Sequence, residues 1–124
     1  MEEEITSLFS DPRFIKGLRL FNAGDWYLCH DLLEEVWHET YGSNRQFLQG
    51  LLQIAVAQFH LENGNKNGAK ILYGEALGRL KNEDFTSYDF DLEKLITCIR
   101  KRLRILQQNG NLDLLEQPIL EKRF

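Results

Sequence analysis

A chain of 124 residues with 43% hydrophobic and 27% charged side chains can bury a core of its own and reads as globular rather than disordered. The length fits a single domain over residues 1–124. The formal net charge of −4 argues against nucleic acid as a partner, because that role calls for a clear basic surface.

The chain reads as an all-α, up-and-down antiparallel bundle of about five helices. Asp11-Pro12 opens the first: Asp caps, and Pro sits where no amide hydrogen is needed. Phe14, Leu18 and Phe21 share one face, and Gly24 ends the helix. Asp25 is placed to cap the second helix, which is expected to run to Tyr41 and stop at Gly42. Ser43 and Gln46 have the spacing of a capping box for the third helix. That helix is apolar nearly all round, through Phe47, Leu48, Leu51, Leu52, Ile54, Val56 and Phe59, as a central helix is. Gly64 ends it. Ala69, Leu72, Ala76 and Leu80 form the stripe of a fourth helix, followed by a polar loop from Lys81 to Phe90. Asp91 caps a fifth, whose core face is Leu92, Leu95, Ile96, Ile99, Leu103 and Leu106, and Gly110 closes it. The tail, 111–124, carries Leu112, Leu114, Leu115 and Ile119 and is expected to pack, with a partner chain as one surface for it. No segment alternates with a period of two, so no sheet is expected.

Chemistry concentrates on the second helix. His30, Glu34 and Trp37 fall at i, i+4 and i+7, which puts them on one face. His38 is one turn from Glu34 but rotated to the side. On the third helix Gln49, Gln53 and His60 interrupt an apolar surface. Antiparallel packing about residues 42–44 sets Trp37 near Gly50, Glu34 near Gln53 and His30 near Ala57, with His60 about one turn from His30. The candidate cluster is therefore His30, Glu34, Trp37, Gln53 and His60, buried between the second and third helices. His30, Glu34 and His60 have the donor types of a divalent metal site, for zinc, iron or manganese. Glu34 orienting His30 as a general base is a further possibility. A hydrogen-bonded network that only fixes helix register uses the same residues.

The segment from Phe21 to Leu80 also resembles a known family, catalogued as domain of unknown function 309. The resemblance is carried by Phe21-Asn22-Ala23-Gly24-Asp25, by His30-Asp31-x-Leu33-Glu34-x-x-Trp37 and by the run from Phe47 to Ala57. It continues through His60-Leu61, Gly64-Asn65, Gly68-Ala69 and Leu72. It implies an all-helical bundle and a His-x-x-x-Glu-x-x-Trp motif connected with function or metal binding, and brings no assigned activity. Asp31 stands where the family more often has Glu, and the turn after the fourth helix lacks an expected proline.

Two main readings follow. The first is a non-catalytic binding or interaction module, acting as a homo-oligomer, a homodimer for example, or with a protein partner. The alternative is a metal-dependent hydrolase-like enzyme with His30, Glu34 and His60 as ligands. A third, nucleic-acid binding through Arg100, Lys101, Arg102 and Arg104, is disfavoured, since these residues spread around their helix as on an ordinary solvated face. No apolar run reaches membrane-spanning length, and Met1-Glu2-Glu3-Glu4 has the wrong charge for a signal or transit peptide. A cytoplasmic location is expected, with Cys29 and Cys98 as reduced, packed thiols.

Overall fold

Asp11-Pro12 and Gly24 bracket a helix in a computed structural model of the chain, which describes residues 8–82 and 84–123. Helix α1 spans Pro12–Ala23. Asp11 accepts a hydrogen bond from the Arg13 backbone N–H at 2.8 Å, and Pro12 occupies the first turn. Gly24 caps the other end at φ 79°, a left-handed conformation that glycine adopts without a Cβ penalty. Helices α2 (Trp26–His38), α3 (Gly42–Glu62), α4 (Lys66–Asn82) and α5 (Leu92–Gln107) follow. The acidic start at Met1-Glu2-Glu3-Glu4 lies outside the described residues. Among those described, the class is all-α, extended pairing being limited to an isolated antiparallel bridge between Phe90 and Lys122. No described helix is long and apolar enough to cross a membrane.

Four local expectations are corrected. Helix α2 ends at His38, short of Tyr41, because the N–H groups of Glu39 and Thr40 turn to the i−3 carbonyls of Val36 and Trp37. The Thr40 hydroxyl also donates to the Val36 carbonyl at 2.6 Å. Gly42 does not stop α2 but begins α3, at φ 63°. Asp25 sits at the N-cap of α2 without a side-chain cap bond. Gln46, expected in a capping box, instead accepts from the Arg79 guanidinium at 2.7 Å.

The substantial helix–helix interfaces join neighbours in the chain, with α3–α4 the most extensive. Tyr27 meets Phe59 and Trp37 meets Arg45, so rising numbers on α2 pair with falling numbers on α3. Gln46–Arg79, Gln53–Glu75 and Gln58–Tyr73 show the same antiparallel sense for α3 and α4. Helix α3 is central, with Phe47, Leu48, Leu51, Leu52, Ile54, Ala55 and Ala57 all buried.

The segment after α4 is less polar in its packing than its composition suggests. Phe85, Tyr88 and Phe90 are buried and join Phe9, Phe14 and Phe47 in one aromatic cluster. The tail folds back on its own chain at Leu120, while Leu114 is left 98% exposed. Leu120 is buried, and the Asp91 N–H donates to the Glu121 carbonyl at 2.8 Å. The Arg123 N–H donates to the Asp89 carbonyl at 2.8 Å.

Candidate functional site

Helix α2 turns its His30–Glu34–Trp37 face toward α3, and the three residues line a groove with Gln49, Leu52, Gln53 and Val56 of α3 and Leu72 and Glu75 of α4. Its volume is about 330 Å³. The sequence-derived cluster is thus assembled with respect to His30, Glu34, Trp37 and Gln53. Its position differs from expectation: it is an open groove, with the His30 side chain 34% and the Glu34 side chain 44% exposed.

Glu34 is flanked by two imidazoles of its own helix. Its Oε2 lies 3.3 Å from His30 Nε2 and its Oε1 lies 3.7 Å from His38 Nε2. These are the i, i+4 neighbours that helical spacing provides. Asp31 Oδ1 lies 3.6 Å from His30 Nδ1, so carboxylates stand on both sides of that ring.

The far wall is built across α3 and α4. Gln53 is 6% exposed, and its Nε2 donates to Glu75 Oε2 at 2.8 Å. A buried amide of this kind holds an otherwise mobile surface carboxylate in one place. The Gln53 Oε1 is buried and has no partner among the described residues. The same holds for Trp37 Nε1, while the Arg45 guanidinium stacks over the Trp37 ring at 3.9 Å. Leu52, Val56 and Leu72 supply the apolar floor.

His60 is not brought to this groove. Its Nδ1 lies 3.4 Å from Asn65 Nδ2, and its ring packs over the α3–α4 turn where Gly68 leaves room. The proposed His30–Glu34–His60 ligand set therefore does not converge. Among the described residues, no group of three His, Cys, Asp or Glu side chains is placed to hold a metal ion. Gly50 is also assigned differently: the space it leaves is filled by Leu80 of α4, not by Trp37. The axial estimate between α2 and α3 holds, but the rotation of α3 divides its residues between two partners. Glu75 is the groove residue that the sequence reading missed. Its only signal was its place on α4 opposite Gln53.

Free thiols complete the chemical inventory. Cys29 is buried, and that burial, with the Asp25 charge nearby, pushes its pKa up to about 12. Burial also raises that of Cys98. Cys29 lacks the electropositive setting of a reactive thiolate, and at Cys98 burial outweighs the pull of Arg102, Lys101 and Lys94.

Comparison with known proteins points the same way as the motif. The curated relative "Uncharacterized protein YpuF" of Bacillus subtilis (strain 168) is 34% identical over 70 residues, which cover 56% of this chain and 40% of that protein. The chain thus spans about two fifths of the length of the curated relative it matches. The family match runs over residues 14–72, from α1 to the middle of α4, and includes every groove residue except Glu75. Over that segment, just under half of its length, the chain is similar to the family described as Domain of unknown function (DUF309).

Proposed function

We propose that this chain is a non-catalytic binding module whose α2–α3–α4 groove receives a lysine- or arginine-bearing segment of a protein partner. The observation that carries this reading is the pairing of Gln53 with Glu75 at 2.8 Å, which fixes one carboxylate on a groove whose other side presents Glu34. A cationic side chain between two carboxylates gains charge-assisted hydrogen bonds, and the apolar floor accommodates its methylene stem. The groove also has an apolar extension. One turn beyond His30 and Val56, Tyr27 and Phe59 are 60% and 38% exposed with ring centroids 5.8 Å apart. Exposed aromatic pairs beside a polar groove are what a protein segment uses as an anchor. The partner is a second copy of this chain or another protein, in the cytoplasm.

The test is calorimetric titration of a short acetylated arginine-leucine-arginine peptide, with its citrulline counterpart as the neutral control. Saturable binding is expected for the arginine peptide, at least about tenfold weaker for citrulline and for Glu75→Gln, with a clear salt dependence. Equal binding of both peptides overturns the reading. Metal analysis of untagged protein prepared without chelator separates the alternative. Near-stoichiometric zinc, iron or manganese, lost in a folded Glu34→Gln variant, would support the hydrolase-like enzyme instead.

A further inference from the structure

On the opposite side of α3, a second cleft of about 810 Å³ opens between α3, α5 and the tail. Its volume is in the range of small-molecule sites. Arg102 of α5 lines it and is only 5% exposed. This corrects the expectation of a solvated basic face on α5, since Arg102 is turned inward while Arg100, Lys101 and Arg104 are exposed.

The partners of Arg102 are neutral. Its Nε donates to the Tyr73 hydroxyl at 2.9 Å, and its Nη1 donates to the Glu116 carbonyl at 2.9 Å. Tyr73 in turn donates to Gln58 Oε1. Among the described residues no carboxylate pairs with this guanidinium. A guanidinium stays charged at any physiological pH, and burying it without a counter-charge is costly. Nor does a neighbour ionise to neutralise it. Burial pushes the Tyr73 hydroxyl up, with Arg102 pulling it only part of the way back, and burial likewise raises Cys98. Tyr73 and Glu116 use two of the five guanidinium N–H donors, which leaves the remainder of a fork suited to an oxyanion.

The rest of the cleft describes the ligand. Trp26, Leu106, Leu112 and Leu115 give apolar walls, and Lys66 adds a second cation. Glu62 and Asp113 lie on the same lining and are both exposed, which disfavours a polyanion and leaves room for one oxyanion group at Arg102. We propose that this cleft binds a small organic anion, its carboxylate or phosphate on Arg102 and its apolar body against Trp26, Leu106 and the tail leucines. The site is independent of the α2–α3–α4 groove.

Amide-resolved NMR titration tests this with three probes of similar body: 4-phenylbutyrate, phenyl phosphate and neutral 4-phenylbutanol. Saturable shifts are expected at Gln58, Arg102 and residues 112–117 with at least one anion, and at least about tenfold weaker binding of the alcohol. Binding of the carboxylate alone or the phosphate alone supports the site and identifies its headgroup. Arg102→Gln is expected to abolish the effect. Since Arg102 also holds Tyr73 and the tail, Leu115→Trp is the second variant; it narrows the cleft with the guanidinium retained and is expected to weaken anion binding at least about fivefold. The proposal is overturned if the alcohol binds as well as the anions, if no probe saturates, or if Leu115→Trp binds like the wild type.

Discussion

The carboxamide of Asn22 makes both of its backbone hydrogen bonds to Leu120, donating from Nδ2 to the carbonyl at 2.9 Å and accepting at Oδ1 from the N–H at 2.8 Å. A residue at the end of α1 thereby ties down a tail 98 positions away. Two partly buried hydrogen bonds of this kind contribute about 1–2 kcal/mol together. Asn22→Ala is expected to lose that amount in denaturant unfolding and to speed amide exchange over residues 118–121. Unchanged exchange there would show that the buried Leu120 side chain and the backbone bonds of Glu121 and Arg123 hold the tail without Asn22.

Asp11 makes a prediction about acid. Its side-chain hydrogen bond to Arg13, opposed by partial burial, holds the Asp11 carboxyl below the ordinary carboxylate range. Because the folded value lies below the unfolded one, the stabilisation is complete above about pH 4 and is lost as pH falls through the folded value. Asp11→Ala is expected to cost about 1 kcal/mol near neutrality. In urea titrations the gap between variant and wild type should narrow steadily below about pH 4. A gap that widens in acid would contradict the assignment.

Gly50 is a packing requirement of the α3–α4 interface. A Cβ at this position would lie 2.7 Å from Leu80 Cδ2 and 2.8 Å from Cγ, and Leu80 is itself buried. Gly50→Leu is expected to destabilise by about 3 kcal/mol or more, beyond the usual range for overpacking because the whole side chain has no space. Gly50→Ala should be milder, since better helix propensity returns up to about 1 kcal/mol. Thermal unfolding of the pair checks the order.

The two thiols should differ in kind. With its pKa raised to about 12 and its side chain buried, Cys29 is expected to resist a thiol reagent in the native state and to react only on unfolding. Cys98, partly exposed and less strongly perturbed, should react slowly in the folded protein. Mass spectrometry after brief labelling distinguishes them; rapid labelling of Cys29 would mean that α2 opens readily.

Helices α1–α5 were legible from their apolar periods, with correct chemical punctuation at Asp11-Pro12, Gly24, Gly64 and Asp91. Composition misled at the loop, where Phe85, Tyr88 and Phe90 are separated by polar residues and share no regular period, yet are all buried. His30, Glu34, Trp37 and Gln53 were legible as neighbours because helical spacing fixes the face of α2 and the short α2–α3 turn fixes the register. The sequence did not reveal how α3 is rotated. A helix that is apolar on nearly every side fits several rotations, so Gly50 and His60 were paired with α2 although they serve α4. Arg102 was hidden for a related reason: flanking Arg100, Lys101 and Arg104 made it read as one more solvated cation.

In the proposed function, Glu34 and Glu75 act together on a ligand cation in the α2–α3–α4 groove. The most direct measurement is amide-resolved NMR titration of the same arginine peptide into wild type, Glu34→Gln, Glu75→Gln and the double variant. Shifts are expected at residues 27–37, 49–59 and 72–75, and a double-mutant cycle with a coupling of about 0.5 kcal/mol or more between the carboxylates. Shifts scattered over the surface, or additive losses with no coupling, would contradict it.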